Sequence, residues 1–342
     1  MLFFAPICHN LRSTIDKPLY DIVVVGAGPT GLACGLFARR AGLQHIVVDR
    51  GTLVNTIVGY PNSMTFFSTS ERLSLGGVPF SSPNIRPTRE EAVAYYRGVA
   101  ESEQVNLLLQ TEVSGLQKRG EEFYLATSRG ELRGRNVILA TGYFDQTNRL
   151  GVEGEELPHV HHYYKEPYQH YNQRVLVIGG RNSAVEAALD LYRNGVHVTM
   201  IHRGEAIGKS VKYWVRPDIE NRISSGEIQM FWNTEVEKIL SDEVILRNNL
   251  TGELFQHPAD AIYAMIGYRP DEKLLQAFGI DYDKETLVPA YDPLTFETNQ
   301  KNLFLAGSVA CGCKTWEIFI ENGREHARTV IEEITRKIAQ QS

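Results

Sequence analysis

Two glycine-rich turns constrain this chain more than anything else in it: Gly26-Ala27-Gly28-Pro29-Thr30-Gly31 and Gly179-Gly180-Arg181-Asn182-Ser183-Ala184. Each follows an apolar run, residues 21–25 or 174–178, and each leads into a stretch of helical character. Strand, tight turn and helix in that order make a dinucleotide cradle, in which backbone N–H groups and the positive helix end face a pyrophosphate. One such motif is a weak signal. Two in matching context predict an α/β chain with two Rossmann-like dinucleotide-binding domains.

The residues downstream of each turn separate the two ligands. Asp49 lies 23 residues beyond Gly26 and His202 lies 23 residues beyond Gly179, so both fall at the tip of a second strand, facing an adenosine ribose. A carboxylate there accepts from ribose hydroxyls and repels a 2′-phosphate, whereas imidazole and guanidinium favour the phosphate. Asp49 with Arg50 therefore predicts FAD in the first unit. His202 with Arg203, and Lys209 nearby, predicts NADPH in the second. In the first turn Gly26 and Gly28 let the backbone approach the pyrophosphate, the helix opens at Pro29 and Thr30, and Gly31 permits close helix–strand packing. In the second, Gly179 and Gly180 open the turn, and Asn182, Ser183 and Ala184 complete it. Arg181 stands where a second glycine is usual, and two roles are open to it: reaching the pyrophosphate or pointing into solvent.

Along the chain, residues 51–86 read as irregular, a helix is expected near 88–102, and the run 136–142 reads as a buried strand that closes onto FAD at Thr141 and Gly142. Another buried strand is expected at 302–307. Gly307 and Ser308 at its end offer backbone and hydroxyl donors to a flavin's ribityl-phosphate or pyrimidine end. An amphipathic helix is expected over 316–339. These elements divide the chain into a first FAD segment at 1–146, with a tail at 1–18, an NADPH-binding domain at 147–265 and a second FAD segment at 266–342. The FAD domain is thus discontinuous.

The 342 residues suffice for two such cores, and 43% hydrophobic with 22% charged residues suits a soluble globular protein. No membrane span or signal core is expected, so cytoplasmic residence is the default. A net charge of −6 with dispersed basic residues argues against nucleic acid. The small basic group Arg203, Lys209, Lys212 and Arg216 is better explained by NADPH phosphates. Of the four cysteines, Cys8, Cys34, Cys311 and Cys313, no two form Cys-x-x-Cys, and none has zinc-ligand spacing. His159, His161 and His162 cluster without accompanying carboxylates and read as a solvated linker, so no metal is predicted.

With these pieces assembled, the chain resembles the small thioredoxin-reductase-like flavoproteins, and among them the bacillithiol-disulfide reductase family. The resemblance runs from about Asp21 to Ile338. Its particular segments are Tyr60-Pro61, Phe66-Phe67-Ser68-Thr69-Ser70-Glu71, Pro79-Phe80, the second turn with its basic residue, Ser210-Val211-Lys212-Tyr213-Trp214, and residues 317–324. It implies FAD, NADPH, a cytoplasmic homo-oligomer in thiol redox balance, and reduction of a low-molecular-weight disulfide, with Phe67 and Ser68 beside the flavin. Many members have Gly-Pro-Cys-Gly in the first turn. This chain has Thr30 there, which cannot form a thiolate at neutral pH.

Three electron paths remain open. Reduced flavin passes electrons directly to a small disulfide that Thr30 and Ser68 position, or Cys311 and Cys313 serve as a relay. The third is ferredoxin- or flavodoxin-NADP reductase-like transfer to a redox protein. For the relay, the cysteines precede the closing helix, whose positive end is expected to lower a thiol pKa. A flavin monooxygenase lacks its His-containing signature here. A non-enzymatic NADPH/redox sensor, which binds both cofactors without efficient turnover, is the alternative outside catalysis.

Overall fold

The computed structural model describes residues 18–341; Cys8 and all of the expected tail but Pro18 lie outside this range. The first strands are β1 (Leu19–Val25), β2 (His45–Val48), β3 (Leu107–Leu108), β4 (Val113–Arg119), β5 (Glu122–Thr127) and β6 (Gly130–Leu139). Interspersed with them are helices α1 (Pro29–Arg40), α2 (Asn55–Val58), α3 (Ser70–Leu73) and α4 (Arg89–Ser102). The β-branched run Ile22–Val25 is buried on both faces, as a central parallel strand requires. Pro29 opens α1 at a position where its missing N–H costs nothing. Thr88 and Glu91 close a capping box on α4.

The second unit contains β7 (Val160–His161), β8 (Arg174–Ile178), helix α5 (Asn182–Arg193), β9 (His197–His202), helix α6 (Arg216–Ser224) and β10 (Gln229–Trp232). It continues with β11 (Thr234–Ile239), β12 (Glu243–Asn248), β13 (Leu254–Pro258) and β14 (Ala261–Ala264). The chain then forms α7 (Glu272–Ala277), β15 (Leu303–Leu305) and the closing helix α8 (Ile320–Gln341).

One sheet runs β3-β2-β1-β6-β5-β4, with β15 also on β6; a second, parallel sheet runs β10-β9-β8-β14-β7, and β11-β12-β13 form an antiparallel one. Strand β6 changes partner along its length: Gly130–Gly134 pairs antiparallel with β5, whereas Val137–Leu139 pairs parallel with β15. Residues from the end of the chain thereby complete the sheet begun at residue 19. Helix α8 seals it, placing Ala327, Val330, Ile331 and Ile334 in one core with Leu32, Ala33 and Leu36 of α1.

Two crossovers join the units and pair with each other. Asn148 N–H donates to the Gly267 carbonyl at 3.0 Å and Arg269 N–H to that of Gln146 at 2.9 Å. Phe144 packs there against Tyr60, Tyr163 and Tyr268, with centroids 4.7 to 5.2 Å apart. His161 and His162, expected in a solvated linker, belong to this packed region. His161 lies on β7 with its ring 5.1 Å from Tyr263, and burial is the leading cause of a lowered pKa in both. The linker reading failed because the parallel pairing of β7 with β14 is invisible in local polarity.

The closing helix starts at Ile320 rather than at 316. Asn322 accepts from Phe319 N–H at 2.8 Å and donates to the Glu317 carbonyl at 2.8 Å, ending the preceding turn and capping the helix. The strand expected to continue to residue 142 ends at Leu139, because the chain must bend over the first glycine turn.

Candidate active site

The first turn is shaped by contacts that only glycines allow. Gly26 has φ +110°, and a Cβ on it would lie 2.5 Å from the Ala140 carbonyl oxygen. A Cβ on Gly31 would lie 1.8 Å from the Gly26 carbonyl oxygen. Gly28 differs: φ is −68°, open to any residue, and its Cβ would meet nothing within 4 Å. What Gly28 keeps clear is an approach to the N-terminus of α1, the cradle a pyrophosphate needs. Asp49, at the end of β2, accepts from Ala27 N–H at 2.6 Å and from Gly51 N–H at 2.7 Å. Burial raises its pKa despite these two bonds.

A pocket opens beside this turn, lined by Gly26, Asp49, Arg50, Thr141 and Gly142 among the expected FAD residues. It also takes Thr111, Glu112, Asp145, Gln146, Arg269 and Asp271, none of which the sequence signalled. Arg50 is ion-paired to Asp145 at 2.7 Å. Asp145, Gln146 and Arg269 come from the two crossovers, so the pocket wall and the joint between the units are partly the same residues.

Thr30 packs at the first turn of α1, where Gly307 and Gly323 have no side chains; Cβ atoms on them would lie 2.8 and 3.2 Å from its Oγ1. Gly307 opens the 3₁₀ turn Gly307–Cys311, and its N–H donates to His326 Nδ1 at 3.2 Å. A Cβ on Gly142 would lie 3.3 Å from Ser308 Oγ, so the turns after β6 and β15 meet beside Gly142, although Gly307 and Ser308 are not among the residues lining the pocket. Ser68 is buried and its hydroxyl donates to Glu321 in the first turn of α8. Phe67 points the other way, half-exposed toward the second unit, with its ring 5.5 Å from that of Phe319.

His326 is a residue that sequence reading passed over, although a histidine on the buried stripe of α8 was visible. Its ring stacks on Phe296 at 4.1 Å, and burial pushes its pKa down to about 4. Above the unfolded value of about 6.5 the ring is neutral in both states and contributes no pH dependence. Between 6.5 and 4 the unfolded chain takes up a proton that the folded one refuses, so stability falls as pH falls. Melting temperature over this window is expected to drop by several degrees more in the native protein than in His326→Asn. Parallel curves for the two would show that the histidine has no part in the acid sensitivity.

In the second turn Gly179 has φ +136°, and a Cβ on Gly180 would lie 2.8 Å from the ring of His202. The His202 ring thus rests on the turn itself, and burial first, then Arg203 and Arg181, lowers its pKa. Arg203, next to it in sequence, and Lys209 are exposed. Ala184 is buried at the helix–strand contact. Asn182 donates to the Ser210 carbonyl and accepts from Lys212 N–H, both at 3.0 Å, tying the 210–214 loop to the turn. Within the basic group, Lys212 pairs with Glu186 and Arg216 with Glu220. The Arg181 guanidinium lies over the ring of Trp316, 5.6 Å from the centroid.

The cysteines are placed against the expected lowering of their pKa. Cys311 is buried at the end of the 3₁₀ turn, its thiol donates to the Ser308 carbonyl at 3.1 Å, and burial pushes its pKa up to about 11. The half-buried Cys313 is also shifted upward by burial. For Cys311 the lowering by the Ile318 backbone N–H, just ahead of α8, is outweighed by burial. Cys34 is fully buried in α1, and its pKa too is raised by burial. Among the described residues no group of three His, Cys, Asp or Glu is placed to hold a metal ion. None of their helices is long and apolar enough to cross a membrane.

Known proteins share this arrangement. The family model of pyridine nucleotide-disulphide oxidoreductases matches residues 23–307. Bacilliredoxin reductase Bdr of Bacillus subtilis (strain 168) is 39% identical over 316 residues, which cover 92% of this chain and 97% of that protein. The bacillithiol disulfide reductase Bdr (YpdA) from Bacillus cereus superposes with a TM-score of 0.91 at 37% identity, covering 94% of this chain and 100% of that one. The Staphylococcus aureus enzyme gives 0.89 at 36% identity over 93% and 99%. Lactococcus lactis thioredoxin reductase shares the fold, with a TM-score of 0.77 at 21% identity over 94% and 99%. The chain belongs to the pyridine nucleotide-disulphide oxidoreductase family, in its bacillithiol disulfide reductase branch, and is a thioredoxin-reductase-like oxidoreductase that works with FAD and NADPH.

Proposed function

We propose that this enzyme reduces a low-molecular-weight disulfide of the bacillithiol type, converting NADPH, one proton and RSSR into NADP⁺ and two RSH. The observation that carries this reading is the docking of one nucleotide unit on the other: Lys212, tied to the second turn, lies over Phe67 of the first unit at 5.8 Å. Bound FAD supplies a two-electron carrier between nicotinamide and disulfide. The turn Gly26–Gly31 holds its pyrophosphate, Asp49 its adenosine ribose, and Thr141, Gly142, Gly307 and Ser308 its flavin end. The turn Gly179–Ala184 with Arg203 and Lys209 holds NADPH. Thr30 and Ser68 shape the place where the disulfide docks, the Ser68 hydroxyl being held by Glu321. The same reading makes the protein a cytoplasmic homo-oligomer of thiol redox balance, by likeness to its relatives.

The raised thiol pKa values support direct reduction over a Cys311–Cys313 relay, since a thiol held protonated is a poor nucleophile. The double variant Cys311→Ser/Cys313→Ser is therefore expected to keep disulfide turnover within about twofold of the native rate; a fall of a hundredfold or more, roughly 2.7 kcal/mol, would establish the relay. The test of the whole reading follows NADPH consumption with bacillithiol disulfide, ferredoxin and oxygen offered separately. Turnover with the disulfide supports it. Turnover with ferredoxin alone replaces it by protein electron transfer, for which the missing thiol at Thr30 is the favouring observation, and flavin reduction with no acceptor turned over leaves the sensor.

A further inference from the structure

Three cations lie on aromatic rings across the gap between the two units. Lys212 faces Phe67 at 5.8 Å, Arg86 faces Trp214 at 4.8 Å, and Arg181 faces Trp316 at 5.6 Å. In the first and third the cation belongs to the second unit; in the Arg86 pair the direction is reversed. The Arg181 pair stands apart because this residue is also the N-cap of α5, inside the second glycine turn. No carboxylate pairs with Arg181 among the described residues, and Trp316 is 55% exposed.

A guanidinium can stack one face on an indole while its in-plane N–H groups stay free to donate to phosphate oxygens, which an ammonium cannot match. We propose that Trp316 is a positioning residue for the nucleotide: it holds the Arg181 guanidinium by its face and presents the N–H edge to the NADPH pyrophosphate. Because Trp316 sits on the segment before α8 and Arg181 on the turn before α5, nucleotide binding and docking of the two units then reinforce each other. This rests on the NADPH reading of the second turn. It also accounts for a bulky residue in a turn that ordinarily takes glycine, since the Arg181 side chain leaves the turn toward Trp316 instead of lying across it.

The test is calorimetric titration of the FAD-loaded protein with NADP⁺, a readout independent of turnover, with flavin content and melting temperature checked for each variant. Trp316→Leu is expected to weaken NADP⁺ binding about two- to fivefold, the worth of an exposed cation–aromatic contact, while Trp316→Tyr stays near the native value. Arg181→Lys, which keeps the charge and loses the planar guanidinium, is expected to weaken binding at least as much as Trp316→Leu. The Arg181→Lys/Trp316→Leu double variant should bind no more weakly than Arg181→Lys alone. Losses that multiply in the double variant, or full affinity in Trp316→Leu beside a loss in Arg181→Lys, would overturn the proposal and leave the NADPH reading standing. A native protein that binds no NADP⁺ would instead refute that reading.

Discussion

Protein carrying Gly31→Val is expected to purify without flavin colour and to lose roughly 3 kcal/mol or more of stability, at the upper end of what overpacking costs. The reason is geometric. The first atom of any side chain at this position would lie 1.8 Å from the Gly26 carbonyl oxygen and 2.9 Å from its carbon, and both belong to backbone that cannot rotate away. Relief requires α1 to lift from β1, which opens the core shared with α8 and pulls the N-terminus of α1 off the pyrophosphate position. Gly28→Ala is the informative companion. Its Cβ meets no protein atom within 4 Å and its backbone is extended, so the fold is expected to keep its melting temperature while FAD affinity falls. Loss of flavin in the first variant with an unchanged melting temperature would show that Gly31 serves the ligand and not the packing.

Arg203→Ala is expected to cost about 1.5–3 kcal/mol in NADPH binding, the range of a charge-assisted hydrogen bond, or about 10- to 150-fold in Kd. NADH binding should be nearly unchanged. The structure sharpens this expectation by dividing the labour between two neighbours that the sequence treated alike. The His202 ring is pressed on Gly180 with its pKa lowered, so near pH 7 it is neutral and offers at most a hydrogen bond. Arg203, exposed and next to it in sequence, carries the charge. His202→Asn should therefore lose less NADPH affinity than Arg203→Ala. Equal losses of NADPH and NADH in Arg203→Ala would remove the phosphate from the account.

The legible parts of this protein are those set by local backbone geometry. Glycines at 26, 31, 179 and 180 sit where a Cβ would meet backbone or a ring within 3 Å, a requirement that leaves its mark directly in the sequence. The expected pocket residues Asp49, Arg50, Thr141 and Gly142 meet on one wall because they end adjacent parallel strands, β2 and β6 flanking β1. Less legible were residues whose partners arrive from far along the chain. Asp145 and Arg269 reach that wall only because the two crossovers pair, and Arg181 finds Trp316 only because the units dock. The Cys311 thiol was illegible for a related reason: burial raises its pKa more than the Ile318 N–H lowers it, and its neighbours Tyr143 and Tyr291 come from other segments of the chain.

Taken alone, the order strand, glycine turn, helix, and an acidic or basic strand tip determined the Rossmann-like fold and the pair of cofactors, FAD and NADPH. Those features act over one turn of backbone, so neighbouring residues suffice to specify them. Which side chains line the space between the units, which thiols stay protonated and where Arg181 points were decided by tertiary structure. Desolvation and cross-domain contact depend on what packs around a group, and that surrounding is assembled from segments far apart in the chain.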